Sequence, residues 1–234
     1  MKDKDSKAVK IYKPEILVCP ICGEALKYCY AVSNKVVQFS SGKTMRIKNL
    51  GYKCPKCMDD VFFSQTANKL AFKGYTYSAK VVCMIDYEKY VNHNGREAIC
   101  DILANKNIEI SDRNIDVIHK RFKEIVDRDC EEVIFSAYNR MISKYNEIRI
   151  DIDLITVNKI SYIILYDFFT GDILAIWRFN GLEDPSLIET LSKYINESFN
   201  ITTIFTVRGY VSHLVPIIKS IAQKTVKVYS FLKF

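Results

Sequence analysis

The stretch EIRIDIDLITV, residues 147–157, decides what fold the sequence predicts for the C-terminal part of the chain. Every second residue from Ile148 to Leu154 is apolar, whereas Asp151 and Asp153 fall on the opposite face of a strand. Aspartate is depleted in strands, so this pair is unusual. Two carboxylates on one strand face can hold Mg²⁺, or they can belong to a solvated face, and the alternation favours neither interpretation.

The segments after this strand predict a mixed sheet. Apolar, strand-like segments are separated by a Gly171 turn and by two helical patterns, one of which begins at Asp184-Pro185. The predicted strands cover residues 160–169, 173–179, 201–207 and 225–231. The last two are short and apolar, as buried parallel strands are. The order β-β-β-α-β-α-β, assigned to residues 146–234, is the layout of a ribonuclease-H-like fold.

Two cysteine pairs dominate the N-terminal third: CPICG (19–23) and CPKC (54–57). Each pair places two thiolates on a tight turn, and four sulfurs satisfy tetrahedral Zn²⁺ without leaving an open coordination position. A redox CxxC motif would need only one pair, beside a βαβ unit. We therefore predict a zinc ribbon over residues 15–75, after a polar tail at 1–14, with one structural zinc. Its ligands are Cys19, Cys22, Cys54 and Cys57.

The charge of the chain is uneven. The net charge is +7, and residues 1–80 alone contain 15 Lys or Arg and 6 Asp or Glu, a net of +9. This excess indicates a polyanion partner such as DNA or RNA, although a solvated lysine-rich surface has the same composition. The candidate phosphate-binding residues of the ribbon are Lys43, Arg46, Lys48, Lys53 and Lys56.

Residues 76–145 have helical patterns. Three helices are predicted, with Ser78 and Ser111 as N-caps and a short turn before the third. This arrangement fits a helix-turn-helix whose last helix reads DNA, and it equally fits an ordinary three-helix bundle. The exposed candidates on the third helix are Arg113, Asn114, Lys120 and Arg121. Residues 81–147 carry a net charge of −3, which argues against tight DNA binding by this segment.

The cysteine pairs, the SDRN start of the third helix (111–114), the IDID strand (150–153) and the hairpin YDFFTGDIL (166–174) together resemble DDE-type insertion-sequence transposases. The resemblance covers about residues 15–225. It implies that the ribbon and helix-turn-helix bind double-stranded DNA at transposon ends. It also implies a ribonuclease-H-like core in which three acidic residues hold two Mg²⁺ ions. Asp151 or Asp153 matches the first acidic position.

The sequence departs from that family at the other two acidic positions. Arg208 stands where the second aspartate follows the fourth strand, and an arginine repels Mg²⁺. The third acidic residue belongs to a helix beyond the last strand, and the sequence given stops at Phe234. We therefore expect a degenerate or truncated transposase-like DNA-binding protein without strand-transfer activity. The alternatives are an active Mg²⁺-dependent transposase or nuclease, and a zinc-ribbon regulator or adaptor.

The expected fold class is thus a multidomain α+β or α/β chain made of a zinc ribbon, a helix-turn-helix-like segment and a partial ribonuclease-H-like sheet. The charged N-terminus, MKDKDSKAVK, does not look like a signal peptide, and ISYIILY (160–166) is too short to cross a bilayer. We expect a cytoplasmic protein associated with a prokaryotic nucleoid, with no membrane partner and a possible homo-oligomeric state.

Overall fold

A computed structural model describes residues 9–57, 60–126, 131–181, 188–189, 191–192, 203–208, 214–221 and 226–231. The chain divides into two compact units, Met1–Phe122 and Lys123–Phe234. Each unit combines helices with one sheet, so the chain has a mixed α+β fold, as the sequence predicts at this coarse level. No helix among these residues is both long and apolar enough to cross a membrane.

The first unit is built on a four-stranded sheet. Its strands are β1 (Val9–Tyr12), β2 (Lys27–Gln38), β3 (Thr44–Lys53) and β4 (Val61–Phe62). β2 and β3 form a long antiparallel hairpin, β1 runs parallel to β3 on its other side, and β4 pairs with the end of β3. The sequence predicts a polar tail over residues 1–14, but the alternating segment VKIY at 9–12 forms ladder pairs with β3.

One face of this sheet packs against a short helix, α1 (Gln65–Leu70). Val37 and Ile47 are fully buried there, and they cluster with Ala67 and Ala71. The sequence did not predict α1, because its pattern QTANKL is too short and polar to show a helical period. The small side chains of Ala67 and Ala71 let α1 lie close to the sheet, so this region has an apolar core besides the four cysteines.

The start of α1 is fixed by a carboxylate from a distant part of the chain. Ser64 is the N-cap, and its hydroxyl accepts a hydrogen bond from the amide of Ala67. The Glu15 carboxylate accepts hydrogen bonds from the Ser64 hydroxyl at 2.8 Å and from the amides of Gln65 and Thr66 at 3.1 and 2.8 Å. Glu15 thus satisfies amides that a helix leaves without internal partners, where the helix dipole favours negative charge.

Three helices complete the first unit, close to where the sequence predicts them. They are α2 (Ala79–Tyr90), α3 (Arg96–Ala104) and α4 (Asp112–Val126). The Ser78 hydroxyl caps α2 by accepting from the Val81 amide, and Gly95 precedes α3. α4 buries Ile115, Ile118 and Phe122, which recur every three or four residues and so form one apolar face.

The second unit contains a five-stranded sheet in the order β7-β6-β5-β8-β9. Its elements are α5 (Glu131–Tyr145), β5 (Ile148–Val157), β6 (Ile160–Asp167), β7 (Ile173–Phe179), β8 (Thr203–Arg208), α6 (Leu214–Ile221) and β9 (Val226–Phe231). β5, β6 and β7 are antiparallel neighbours, whereas β8 runs parallel to β5 and β9 runs parallel to β8. β5 therefore lies in the middle of a mixed sheet.

The strands of this sheet occupy the predicted positions, while its helices are only partly comparable with the prediction. The helix expected after Asp184-Pro185 lies mostly outside the described residues, although 188–189 and 191–192 are helical. α6 starts at Leu214, with Pro216 in its first turn, where proline is tolerated. α5 belongs to the second unit, so the predicted boundary at residue 146 falls between α5 and β5 inside that unit.

Candidate functional site

The four cysteines of the two CxxC pairs converge at one point of the first unit. Their sulfur atoms all lie within 4.8 Å of one another. The Sγ atoms of Cys22 and Cys54 are 3.5 Å apart, those of Cys57 and Cys22 are also 3.5 Å apart, and those of Cys19 and Cys57 are 3.9 Å apart. A tetrahedron with metal–sulfur bonds of about 2.3 Å has sulfur–sulfur edges of about 3.8 Å. The cluster can therefore hold one tetrahedral metal ion.

Local backbone geometry presents the sulfurs to one another. In the first turn, Gly23 has a φ of 72°, which favours glycine, and its amide donates to the carbonyl of Cys19 at 2.9 Å. The Cys19 amide donates in turn to the Glu24 carbonyl at 2.7 Å. In the second turn, the Cys57 amide donates to the Cys54 sulfur at 3.4 Å. Both turns are set by residues of the CPxC motifs and their immediate neighbours.

The cysteines differ in how easily they ionise. The hydrogen bond from the Cys57 amide lowers the pKa of Cys54 to about 7, because it stabilises the thiolate. Hydrogen bonding to the Cys22 side chain, followed by desolvation, raises the pKa of Cys57 to about 12. The four thiols therefore do not all ionise near neutral pH by themselves. A bound dication supplies the positive charge that a set of four thiolates requires.

The cysteine cluster also accounts for much of the apolar core around it. Cys19, Leu26 and Cys54 are the buried members of a small cluster, and Tyr52 and Phe62 pack at its edge. Two of the three buried side chains are thus metal-ligand candidates. A core this small depends on the cysteines being held together, which is the role of a structural metal site.

Cys29 lies outside this cluster, as expected for a thiol that is not a ligand. Its side chain is half-buried and donates a hydrogen bond to the carbonyl of Gly51 at 3.1 Å. Gly51 lies on β3 and faces the Val61 and Val32 side chains so closely that a Cβ would collide with both. This contact fixes the bulged part of the β2–β3 hairpin next to the metal cluster.

The second predicted site residues, Asp151 and Asp153, lie two residues apart on the middle strand β5. They are only 4% and 5% exposed, so the alternative of a solvated strand face is wrong. Asp151 is flanked by Tyr166 on β6 and by Thr206 on β8. A metal-dependent nuclease must admit a phosphate next to its carboxylates, and neither aspartate is accessible in this conformation.

Arg208 is the last residue of β8, beside the carboxylate pair in the backbone register. The parallel pairing of Ile152 with Val207 puts the next residue of β8, Arg208, level with Asp153 on β5. The strand end next to Asp153 therefore carries an arginine in the sequence. Among the described residues, the acidic side chains form no group of three that can hold a metal ion.

Asp167 is a third buried carboxylate near β5, but the register excludes it from the Asp151 face. It pairs with Ile150 across the β5–β6 ladder and so shares the opposite face of the sheet. Its side chain contacts the guanidinium of Arg140 on α5 and accepts hydrogen bonds from the amides of Phe169 and Thr170 at 2.7 and 3.1 Å. Asp167 therefore stabilises the β6–β7 turn rather than a metal.

The predicted DNA-contacting residues lie at or near the surface of the first unit. Those on α4 are all exposed: Arg113, Asn114, Lys120 and Arg121. In the sheet region, Lys43, Arg46 and Lys56 are exposed and Lys48 and Lys53 are partly buried. Lys56 pairs with Glu24 at 2.5 Å. Tyr28, which is exposed, and its neighbour Tyr52 were not predictable as site residues from the sequence pattern. The available signal is that none of the four strands of this sheet contains an acidic residue.

No protein-family model, curated protein or solved structure matches this chain. The site geometry, together with the topology of the two sheets, is therefore the basis for assigning a function.

Proposed function

We propose that this chain is a transposase-like, zinc-dependent protein that binds double-stranded DNA, derives from a mobile element and lacks strand-transfer activity. The observation that carries the proposal is the second sheet, in which three antiparallel strands are followed by two parallel strands and two aspartates lie on the middle strand. This strand order supports a ribonuclease-H-like core, the fold that the sequence resemblance to DDE-type transposases implies.

The metal cluster supports the zinc-ribbon part of the proposal. Two CxxC turns at the base of the β2–β3 hairpin bring four sulfurs to distances that suit one tetrahedral ion. Zn²⁺ is the best match, since four thiolates with no open position are typical of structural zinc sites. In this proposal the zinc stabilises the fold and takes no part in chemistry. Mg²⁺ enters only if the chain proves catalytically active.

The exposed cations of the first unit support DNA as the partner. Arg113 and Arg121 stand on the exposed side of α4, the helix that would enter the major groove in a helix-turn-helix. The basic excess of residues 1–80 supplies further attraction for phosphates. A DNA partner goes with the expected cytoplasmic, nucleoid-associated location and with possible homo-oligomers on paired transposon ends.

The carboxylate face supports the loss of catalysis. Asp151 and Asp153 are buried, and the sequence places Arg208 at the adjoining strand end, where the family has its second aspartate. Two-metal phosphoryl transfer needs further carboxylates within a few ångströms of the first. An arginine contributes a fixed positive charge instead.

DNA binding is tested by fluorescence anisotropy with duplex DNA between about 50 and 200 mM salt. We expect affinity to fall steeply with salt, and Arg113→Ala/Arg121→Ala to reduce the slope by about two, since each phosphate contact contributes about 0.9. The matched control is Lys73→Ala/Lys80→Ala, which removes two exposed cations outside α4. A salt-independent signal would argue for a regulator or adaptor that binds protein. Equal effects of both double variants would argue against α4 as the helix that contacts DNA.

Catalysis is tested separately by incubating the chain with terminal-repeat duplexes and Mg²⁺ or Mn²⁺. We expect no nicking. Cleavage that disappears in Asp151→Asn/Asp153→Asn would overturn the inactive assignment and establish the Mg²⁺-dependent nuclease alternative. Cleavage that survives this double substitution would indicate a contaminating nuclease, and the metal dependence of a repurified sample would identify it.

A further inference from the structure

Among the residues that the structure describes, no layer covers one face of the first unit's sheet around the middle of β3. On β3, Arg46 lies opposite Val9 of β1 and Val36 of β2, and Lys48 lies opposite Ile11 of β1, so all five share this face. Val9 and Ile11 are 53% and 57% exposed, Arg46 is exposed, and Lys48 and Val36 are only partly buried. We call this surface, together with the exposed Tyr28 and with Tyr52, which is partly buried against the cysteine cluster, the open face.

The opposite face of the same strands forms the core, which explains why the open face is not simply a poorly packed layer. Ile47 and Asn49 alternate with Arg46 and Lys48 along β3, and both are fully buried. Ile47 packs against α1, and the Asn49 amide exchanges hydrogen bonds with Ser64 at 2.9 and 3.0 Å. The alternation of β3 therefore leaves apolar and basic side chains uncovered on its second face, which is typical of a binding surface.

One end of the open face is aromatic. Tyr28 and Tyr52 are cross-strand partners, and their rings meet edge to face with centroids 5.9 Å apart. Tyr28 is 54% exposed, so its ring is available to a flat ligand. Exposed aromatic rings beside cations are the elements on which unpaired nucleic-acid bases stack.

The charge of the open face is entirely positive. None of the strands β1, β2, β3 and β4 contains an aspartate or a glutamate. Arg46 and Lys48 lie on β3, the strand between β1, which carries Val9 and Ile11, and β2, which carries Tyr28. A surface with this charge attracts a phosphate backbone.

We propose that the open face binds single-stranded nucleic acid, with phosphates at Arg46 and Lys48 and bases stacked at Tyr28. An unpaired strand can splay its bases across a sheet face, where exposed aromatic rings stack on them and cations contact its phosphates. The inference goes beyond the proposed duplex binding, because it uses a different surface from α4 and a different ligand. In this inference Arg46 and Lys48 contact the phosphates of the single strand.

The test measures binding of an oligothymidine of about 15 nucleotides to the full chain purified with its metal, by fluorescence anisotropy. Tyr28→Ala should weaken binding about tenfold, and Tyr28→Phe should restore it, because the ring and not the hydroxyl stacks. Arg46→Ala/Lys48→Ala should lower the salt slope by about 1.4, at about 0.7 for each phosphate contact. The matched control is Tyr30→Ala, since Tyr30 is 51% exposed but pairs with Gly51 and so belongs to the other face by register.

The possible outcomes separate this inference from the proposed function. Duplex binding through α4 without oligothymidine binding overturns the inference and leaves the proposed function intact. Oligothymidine binding without duplex binding supports the inference and overturns the proposed duplex binding. Equal weakening by Tyr30→Ala overturns the assignment of the ligand to the open face. A dimer that Tyr28→Ala dissociates, in a chain that does not bind oligothymidine, also overturns it and makes the face an interface between copies.

Discussion

Replacing Cys19 by serine tests the metal centre most directly. Cys19 is 2% exposed, and its sulfur lies 3.9 Å from that of Cys57 within a cluster of four. Structural zinc sites bind with an apparent free energy of about 10–16 kcal/mol near neutral pH. If each of four ligands contributes about a quarter, losing one removes about 3 kcal/mol, which is about two orders of magnitude in affinity.

The measurement combines metal analysis with competition against a chromogenic chelator and thermal unfolding. The wild-type chain should contain about one zinc, as a single four-thiolate site requires. Cys19→Ser should lose zinc to the chelator at about a hundredfold lower chelator concentration and unfold at a lower temperature. The matched control is Cys29→Ser, because the Cys29 thiol donates to the Gly51 carbonyl outside the cluster and a serine hydroxyl can make the same bond.

Two results would refute the reasoning. The first is a wild-type chain that contains no metal and whose unfolding temperature does not change when zinc is added or chelated. The second is a Cys29→Ser variant that loses zinc as readily as Cys19→Ser, because this would mean that the loss reflects general destabilisation. An iron content in place of zinc would preserve the four-sulfur site and change only the metal.

Three further predictions follow from the geometry. Zinc affinity should fall about tenfold or more for each pH unit between about 8 and about 6. Cys57, with a pKa of about 12, must release its proton to bind at any pH in this range, and Cys54, with a pKa of about 7, becomes protonated within it. Competition titrations with pH-corrected chelator constants measure this, and a pH-independent affinity would contradict it. Glu15→Ala should lower the free energy of unfolding by about 1–2 kcal/mol, because the Ser64 hydroxyl and the Thr66 amide at the start of α1 lose their acceptor. Glu15→Gln should recover part of this loss in urea titrations. No loss in either variant would contradict the capping role. Arg140→Ala should lower the free energy of unfolding by only about 1–2 kcal/mol, because the Arg140 side chain is 46% exposed. Asp167→Ala also removes the acceptor of two amides and should lower it by about 3 kcal/mol. The reverse order in urea unfolding would show that the buried carboxylate destabilises the fold.

The elements of the second sheet were largely predictable because their signals are local. The alternation from Ile148 to Leu154 sets the strand β5, and Gly171, with a φ of 69°, marks the turn between β6 and β7. α1 and the strand β1 were missed for the opposite reason. Each is only a few residues long, and its stability comes from partners elsewhere in the chain, such as Glu15 and β3.

The sequence by itself determined which residues can bind metal and which segments are strands or long helices. CxxC spacing, strand alternation and helix caps act within a few residues, so they can be recognised without the fold. Only the tertiary structure decided that the four cysteine sulfurs converge and that Asp151 and Asp153 are buried. It also decided that Asp167 lies on the face of the second unit's sheet opposite to Asp151. In the part of the chain that the structure describes, it further decided that one face of the first unit's sheet is uncovered. These properties depend on register and on which layer covers each face, and long-range packing sets both.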